Sequence, residues 1–68
     1  MFNISANDVK EFISISEDSY IYLAKVNEYK LVYSTYTKNF DIYLSGTTMS
    51  IFTTNNCDTA VNYFNSLI

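Results

Sequence analysis

Cys57 has the most nucleophilic side chain in this 68-residue sequence. A thiol near the start of a helix can have a lowered pKa and attack an electrophile. Its usual activator is histidine, and the chain has none. Cys57 also falls on the apolar stripe of a predicted helix, which favours a buried structural cysteine. We therefore expect no nucleophilic catalysis.

The acidic side chains do not predict general acid–base chemistry either. Glu17 and Asp18 form the only adjacent acidic pair, but neighbours in a loop do not converge on a substrate. Asp8 and Asp58 are placed near predicted helix N-termini, where carboxylates stabilise the helix. One thiol and no histidine are a poor ligand set for a transition metal, and the single glycine cannot form a phosphate-binding loop. The sequence thus predicts a protein that is not an enzyme and has no metal or cofactor.

The charge balance limits the classes of partner. The chain has four lysines, no arginine and a net charge of -3, which argues against direct nucleic-acid binding because phosphate contacts need basic side chains. No apolar run approaches the roughly 20 residues of a membrane span, and residues 1–4 lack the basic start of a secretion signal. We expect a protein with no membrane partner, located in a bacterial cytoplasm or an infected host cell.

Two segments have the apolar spacing of an amphipathic helix. The first begins at about Ala6, since Ser5 and Asp8 have the spacing of a capping box; its predicted stripe is Ala6, Val9, Phe12 and Ile13. The second follows Asn56, the predicted N-cap; its predicted stripe is Cys57, Ala60, Val61, Phe64 and then Leu67 or Ile68.

Between these segments, β-branched and aromatic residues predict four strands near 19–26, 29–36, 40–45 and 48–54. Gly46 and Thr47 fit a two-residue type II′ turn in the last hairpin. This turn pairs Ile42 with Ile51, and Leu44 with Met49. The predicted core face then holds Phe40, Ile42, Leu44, Met49 and Ile51.

The first hairpin has two alternative registers, because the loop at Asn27 and Glu28 contains no glycine. A two-residue loop puts on one face Tyr20, Tyr22, Val26, Tyr29, Leu31 and Tyr33. A longer loop instead brings Ile21 and Leu23 beside Leu31. The two-residue loop also sets Lys25 opposite Lys30, a repulsive pair, so we favour the longer loop.

Together these elements predict an α+β fold of one domain, residues 1–68, in the order α-β-β-β-β-α. Its four strands form an antiparallel meander with the N-terminal and C-terminal helices on one face. A chain of this length buries only about 60% of the surface that it exposes when unfolded. Because Cys57 is alone, no internal disulfide can add stability.

The chain is rich in aromatic residues, with seven tyrosines and five phenylalanines. In the favoured register, the sheet face away from the helices holds Tyr20, Tyr22, Tyr36, Tyr43 and Phe52. Such residues stabilise cross-strand pairs, and tyrosine is also enriched at protein interfaces. Stacking on nucleobases is disfavoured by Asp41 on the same face and by the lack of arginine. We predict these five aromatic residues, with Glu17 and Asp18, as partner-binding residues.

The composition favours an origin in a low-GC bacterium or its virus, because residues with AT-rich codons make up nearly half of the chain. In general character the chain is similar to anti-CRISPR and anti-restriction proteins, which are small, acidic and without catalytic residues. The leading hypothesis is therefore a phage- or mobile-element-encoded inhibitor of a host or defence protein that acts by occlusion. The alternative is a small self-associating structural or accessory subunit, such as a homodimer.

Overall fold

The computed structural model describes residues 3–68; Met1 and Phe2 lie outside the described range. Its elements are α1 (Ala6–Ile15), β1 (Tyr20–Val26), β2 (Tyr29–Ser34), β3 (Asn39–Leu44), β4 (Ser50–Thr54) and α2 (Cys57–Leu67). The strands form one antiparallel sheet in the spatial order β1-β2-β3-β4. The predicted α-β-β-β-β-α meander is confirmed.

Both helices begin at the predicted caps. The Ser5 hydroxyl accepts from the Asp8 backbone N–H at 3.5 Å, and Asn56 Oδ1 accepts from the Thr59 N–H at 2.9 Å. Each cap pairs a backbone donor that the first helical turn leaves without a partner. Local sequence therefore fixes where α1 and α2 begin.

The core lies between the sheet and the two helices, which share one face. The buried cluster draws on α1, α2 and the two central strands, and consists of Val9, Leu31, Phe40, Ile42, Ala60, Val61 and Phe64. Phe12 was predicted to join it but is 48% exposed. Because α1 packs on the edge strand β1 and on α2, only a narrow stripe of α1 is covered.

The first hairpin has the two-residue loop, so the favoured longer loop is wrong at the turn. Val26 pairs with Tyr29, and Lys25 does lie opposite Lys30. Asn27 makes the turn by adopting φ +57°, a conformation that asparagine tolerates better than most residues.

A β-bulge then changes the register within this hairpin. Leu23 is the extra residue of β1, between the pairs Tyr22–Val32 and Ala24–Leu31. Beyond it Ile21 pairs with Tyr33 and is buried. The hairpin therefore has the two-residue loop at its turn, while beyond the bulge Ile21 faces the core as in the longer-loop register.

The predicted type II′ turn of the last hairpin is wrong. Residues 45–49 connect β3 to β4, and the Thr47 N–H donates to the Leu44 carbonyl at 3.1 Å. Gly46, with φ +84°, is therefore the third residue of this turn, where a type II turn requires a positive φ. The glycine is used as a turn residue, one place later than expected.

The β3–β4 register agrees with the prediction next to the turn and differs from it by one residue beyond a bulge. Ile42 pairs with Phe52, Tyr43 pairs with Ser50, and Ile51 forms a second bulge. A slip of one residue exchanges the two faces of a strand. Ile51 is therefore exposed, contrary to prediction, and Phe52 packs against the core in its place. Met49 was also predicted on the core face, but it lies in the loop before β4 and is exposed.

Candidate binding surface on the open face of the sheet

The sheet face opposite the helices carries three tyrosines around a buried valine. Tyr20 and Tyr22 lie on β1 and Tyr43 on β3. Val32, which pairs with Tyr22, points to this face because its neighbour Leu31 points into the core. Val32 is nevertheless 0% exposed, and the aromatic side chains beside it are placed to shield it. We call the surface formed by Tyr20, Tyr22, Lys30 and Tyr43 the tyrosine face.

The side chains of the tyrosine face contact one another. The Tyr20 and Tyr22 rings meet edge to face, with centroids 5.6 Å apart and planes at 89°. Lys30 Nζ lies 5.7 Å from the Tyr22 ring centroid and 5.8 Å from that of Tyr43, within the range of a cation–π contact. Lys30 thus links aromatic rings of β1 and β3 from the strand between them.

A small open cavity lies within this surface. Its volume is about 240 Å³, and it is lined by Tyr20, Tyr22, Lys30, Tyr43, Thr47 and Thr48. The two threonines come from the 45–49 loop, so the longer connection brings polar groups to the cavity. Polar side chains and one ammonium group therefore meet beside aromatic rings in an open groove, which is smaller than the roughly 300–1,000 Å³ of ligand-binding clefts.

The electrostatics of the surface favour hydrogen-bond donation. Desolvation of the Tyr20 hydroxyl, its hydrogen bond with the Tyr43 side chain and the charges of Tyr43, Tyr22 and Asp41 raise the pKa of Tyr20 to about 12, although 45% of the residue is exposed. At neutral pH this hydroxyl is protonated, as in an ordinary tyrosine, and serves as a hydrogen-bond donor. Asp41 has partners of its own, since Thr53 Oγ1 donates to it at 2.5 Å and Ser50 Oγ at 3.3 Å.

Three of the five predicted aromatic contact residues, Tyr20, Tyr22 and Tyr43, are brought together here. Phe52 is not, because the β4 register turns it to the helix side. There it stacks on Tyr63 of α2, with ring centroids 4.1 Å apart and planes at 7°. The prediction that Phe52 belongs to the open face is wrong.

Tyr36 was also predicted on this face, at the end of a strand, but lies beyond β2 in the turn of residues 35–38 and is 89% exposed. Glu17 and Asp18 are exposed in the segment before β1. Thr35 donates to the Ser19 carbonyl from both its N–H, at 2.9 Å, and its hydroxyl, at 3.2 Å. These bonds hold the turn and the acidic segment at the same end of the sheet.

Sequence reasoning missed Lys30 of the tyrosine face, Thr47 and Thr48 of the cavity, and Lys25, which lies opposite Lys30. The repulsion between the two lysines was noticed, but it was used to reject the register that the protein adopts. That repulsion was the sequence signal available for the two lysines, because rules of local structure tend to be broken at functional or strained sites. The threonines gave no signal, because their position depends on the length of the loop.

The Cys57 thiol lies half-buried at the contact between the two helices. Burial raises the pKa of its thiol, while Lys10 lowers it and Asp58 raises it slightly further. The sulfur lies 3.8 Å from the Ala6 carbonyl oxygen, as a weak donor linking the helices. Within residues 3–68, no three cysteine or carboxylate side chains are grouped as a metal site, and no helix is long and apolar enough to cross a membrane.

No family model, curated protein or solved structure matches this chain. Function has to be inferred from the geometry of the tyrosine face itself.

Proposed function

We propose that this protein is a non-catalytic binding module that holds a partner protein against its tyrosine face. The observation that carries the proposal is the grouping of Tyr20, Tyr22 and Tyr43 around a cavity on the side of the sheet that neither helix covers. Mutual ring contacts and Lys30 already restrain the aromatic side chains. Binding would then cost little side-chain entropy, which favours affinity.

The dimensions of the molecule suit inhibition by occlusion. It measures 26 × 26 × 16 Å, so its broad face approaches the roughly 800 Å² that one partner contributes to a standard interface. A slab of this size can cover a functional site without altering it chemically. With the acidic charge and the AT-rich composition, this supports a phage- or mobile-element-encoded inhibitor of the anti-CRISPR or anti-restriction type.

Self-association is the second candidate, because two large apolar side chains are exposed at the edge of the sheet: Ile51 in β4 and Met49 just before it. Edge-to-edge pairing needs a regular strand, however, and each edge strand carries a bulge, at Leu23 in β1 and at Ile51 in β4. Bulges on edge strands hinder pairing with another chain. A solution mass of the monomer at micromolar concentration would exclude this candidate.

Affinity capture with surface variants tests the main proposal. The tagged protein and a Tyr22→Ala/Tyr43→Ala variant are used as baits in a low-GC bacterial lysate, with and without nuclease. Tyr36→Ala is the matched control, since it removes an exposed tyrosine outside the face.

We expect the wild-type bait to capture one protein in stoichiometric amount, with or without nuclease. The Tyr36→Ala control should capture the same protein. The double variant should lose it, because a central aromatic contact contributes about 2 kcal/mol, roughly 30-fold in Kd. Circular dichroism must show that the double variant is folded. Equal capture by a folded double variant would refute the role of the tyrosine face.

A further inference from the structure

The open face carries two positive charges that the described residues leave uncompensated. Lys25 and Lys30 are directly opposed across β1 and β2, a placement in which like charges destabilise a sheet. The ion pair found among residues 3–68 joins Lys10 to Asp58 in the helix layer, at 3.5 Å. Neither Lys25 nor Lys30 has an acidic side chain at ion-pairing distance. Asp41 lies on the same face, but it accepts hydrogen bonds from Ser50 and Thr53. A protein of net charge -3 thus keeps two opposed positive charges on this face at a cost in stability.

The surroundings of Lys30 suit an anion. Lys30 is half-buried, and its Nζ lies 5.7 Å from the Tyr22 ring centroid and 5.8 Å from that of Tyr43, so the aromatic rings hold the ammonium at the cavity. The Tyr20 hydroxyl and those of Thr47 and Thr48 line the same cavity. The Thr47 hydroxyl already donates to the Leu44 carbonyl at 2.9 Å. A carboxylate has two oxygens that accept up to four hydrogen bonds, and the Lys30 ammonium and the Thr48 hydroxyl can donate to them.

The size of the cavity favours a side chain over a lone ion. Its volume of about 240 Å³ is several times the roughly 30 Å³ that a water molecule occupies in the liquid. We propose that the tyrosine face recognises an acidic segment of its partner protein, with a glutamate or aspartate side chain in the cavity beside Lys30 and a second carboxylate near Lys25. This inference rests on the proposed function and specifies the chemistry of the partner.

A nucleic-acid strand is the competing anionic occupant, and the charge of the chain disfavours it. Strong phosphate binding draws on several basic side chains, whereas this face has two lysines and the chain has no arginine.

Titration with a synthetic hexaglutamate peptide, followed through the ¹⁵N-resolved amide signals of the full chain, tests the inference without knowledge of the partner. Probes of equal length, hexaalanine and single-stranded hexathymidylate, are titrated in parallel. The variants are Lys25→Gln/Lys30→Gln and the control Lys10→Gln, which makes the same kind of charge change in the helix layer. Each titration is made at about 0.01 M and about 0.15 M salt, because screening differs greatly between them.

We expect hexaglutamate to shift the signals of Lys25, Lys30, Tyr43 and Thr47 at low salt, with weaker binding at the higher salt. The double variant should bind about tenfold more weakly, whereas Lys10→Gln should bind like the wild type. The absence of shifts in these signals, or equal affinity in the folded double variant, would overturn the inference. Tighter binding of hexathymidylate would overturn it in favour of nucleic acid. If the partner protein is lost by the Tyr22→Ala/Tyr43→Ala bait but is still captured by a Lys25→Gln/Lys30→Gln bait, this inference is refuted and the proposed function stands.

Discussion

The side-chain amide of Asn65 makes both hydrogen bonds that the backbone of Ile4 can form. Oδ1 accepts from the Ile4 N–H at 2.9 Å, and Nδ2 donates to the Ile4 carbonyl at 3.0 Å. Asparagine suits this role because its amide carries the same donor and acceptor as a peptide group. The pair joins the segment before α1 to the last turns of α2.

Asn65→Ala should therefore lower the free energy of unfolding by about 1–3 kcal/mol, because it leaves two part-buried backbone groups without partners. The control is Asn62→Ala on the exposed side of the same helix, which carries the same gain in helix propensity. Urea unfolding measures both variants. A midpoint for Asn65→Ala equal to that for Asn62→Ala would show that the paired bonds contribute nothing.

Features set by local sequence could be predicted. The helix starts at Ala6 and Cys57 follow from caps one residue earlier, and the stripe of Ala60, Val61 and Phe64 follows from helical spacing. The element order, and with it the fold class, depends on little more than these patterns and the β-rich middle of the chain.

The strand registers could not be predicted in the same way. The bulges at Leu23 and Ile51 depend on which side chains fill the core, and that choice is made by residues distant in sequence. Phe52 shows the consequence: its partner on the core side is Tyr63 of α2, a contact that no local pattern announces. The tyrosine face was predicted in part because the bulge at Leu23 returns Tyr20 and Tyr22 to the side that the longer-loop register gives them, and because Tyr43 alternates with the core residue Ile42.

The stacked pair of Phe52 and Tyr63 should show measurable energetic coupling. In a double-mutant cycle with Phe52→Leu and Tyr63→Leu, we expect a coupling free energy of about 0.5–1.5 kcal/mol beyond the loss of buried area. Tyr63→Phe is the control, since it keeps the ring and should change stability by less than about 0.5 kcal/mol. If the two leucine substitutions lower the free energy of unfolding additively, the stacked rings contribute no coupling energy.

Cys57 should make the protein less stable as the solution becomes alkaline. Its pKa is raised by burial in the folded state, whereas an unfolded cysteine titrates near about 8.5. Below that pH both states keep the proton; above it the unfolded chain releases the proton first, so the free energy of unfolding falls. Urea unfolding between about pH 8 and 9.5 measures this slope, before most tyrosines ionise. Cys57→Ala should have a shallower slope, and identical slopes would contradict the raised pKa.

Removal of the positive charge at Lys25 should stabilise the fold. It faces Lys30 directly across the sheet, and relief of this repulsion in Lys25→Gln should raise the free energy of unfolding by about 0.2–1 kcal/mol. The gain should shrink as salt screens the pair. Lys10→Gln serves as the control, because it removes an exposed ion pair with Asp58 and should lower stability by at most about 1 kcal/mol. A loss of stability in Lys25→Gln would mean that the lysine is held for packing. A higher free energy of unfolding in Lys25→Gln, together with weaker binding of hexaglutamate, would show that this charge destabilises the fold but contributes to binding.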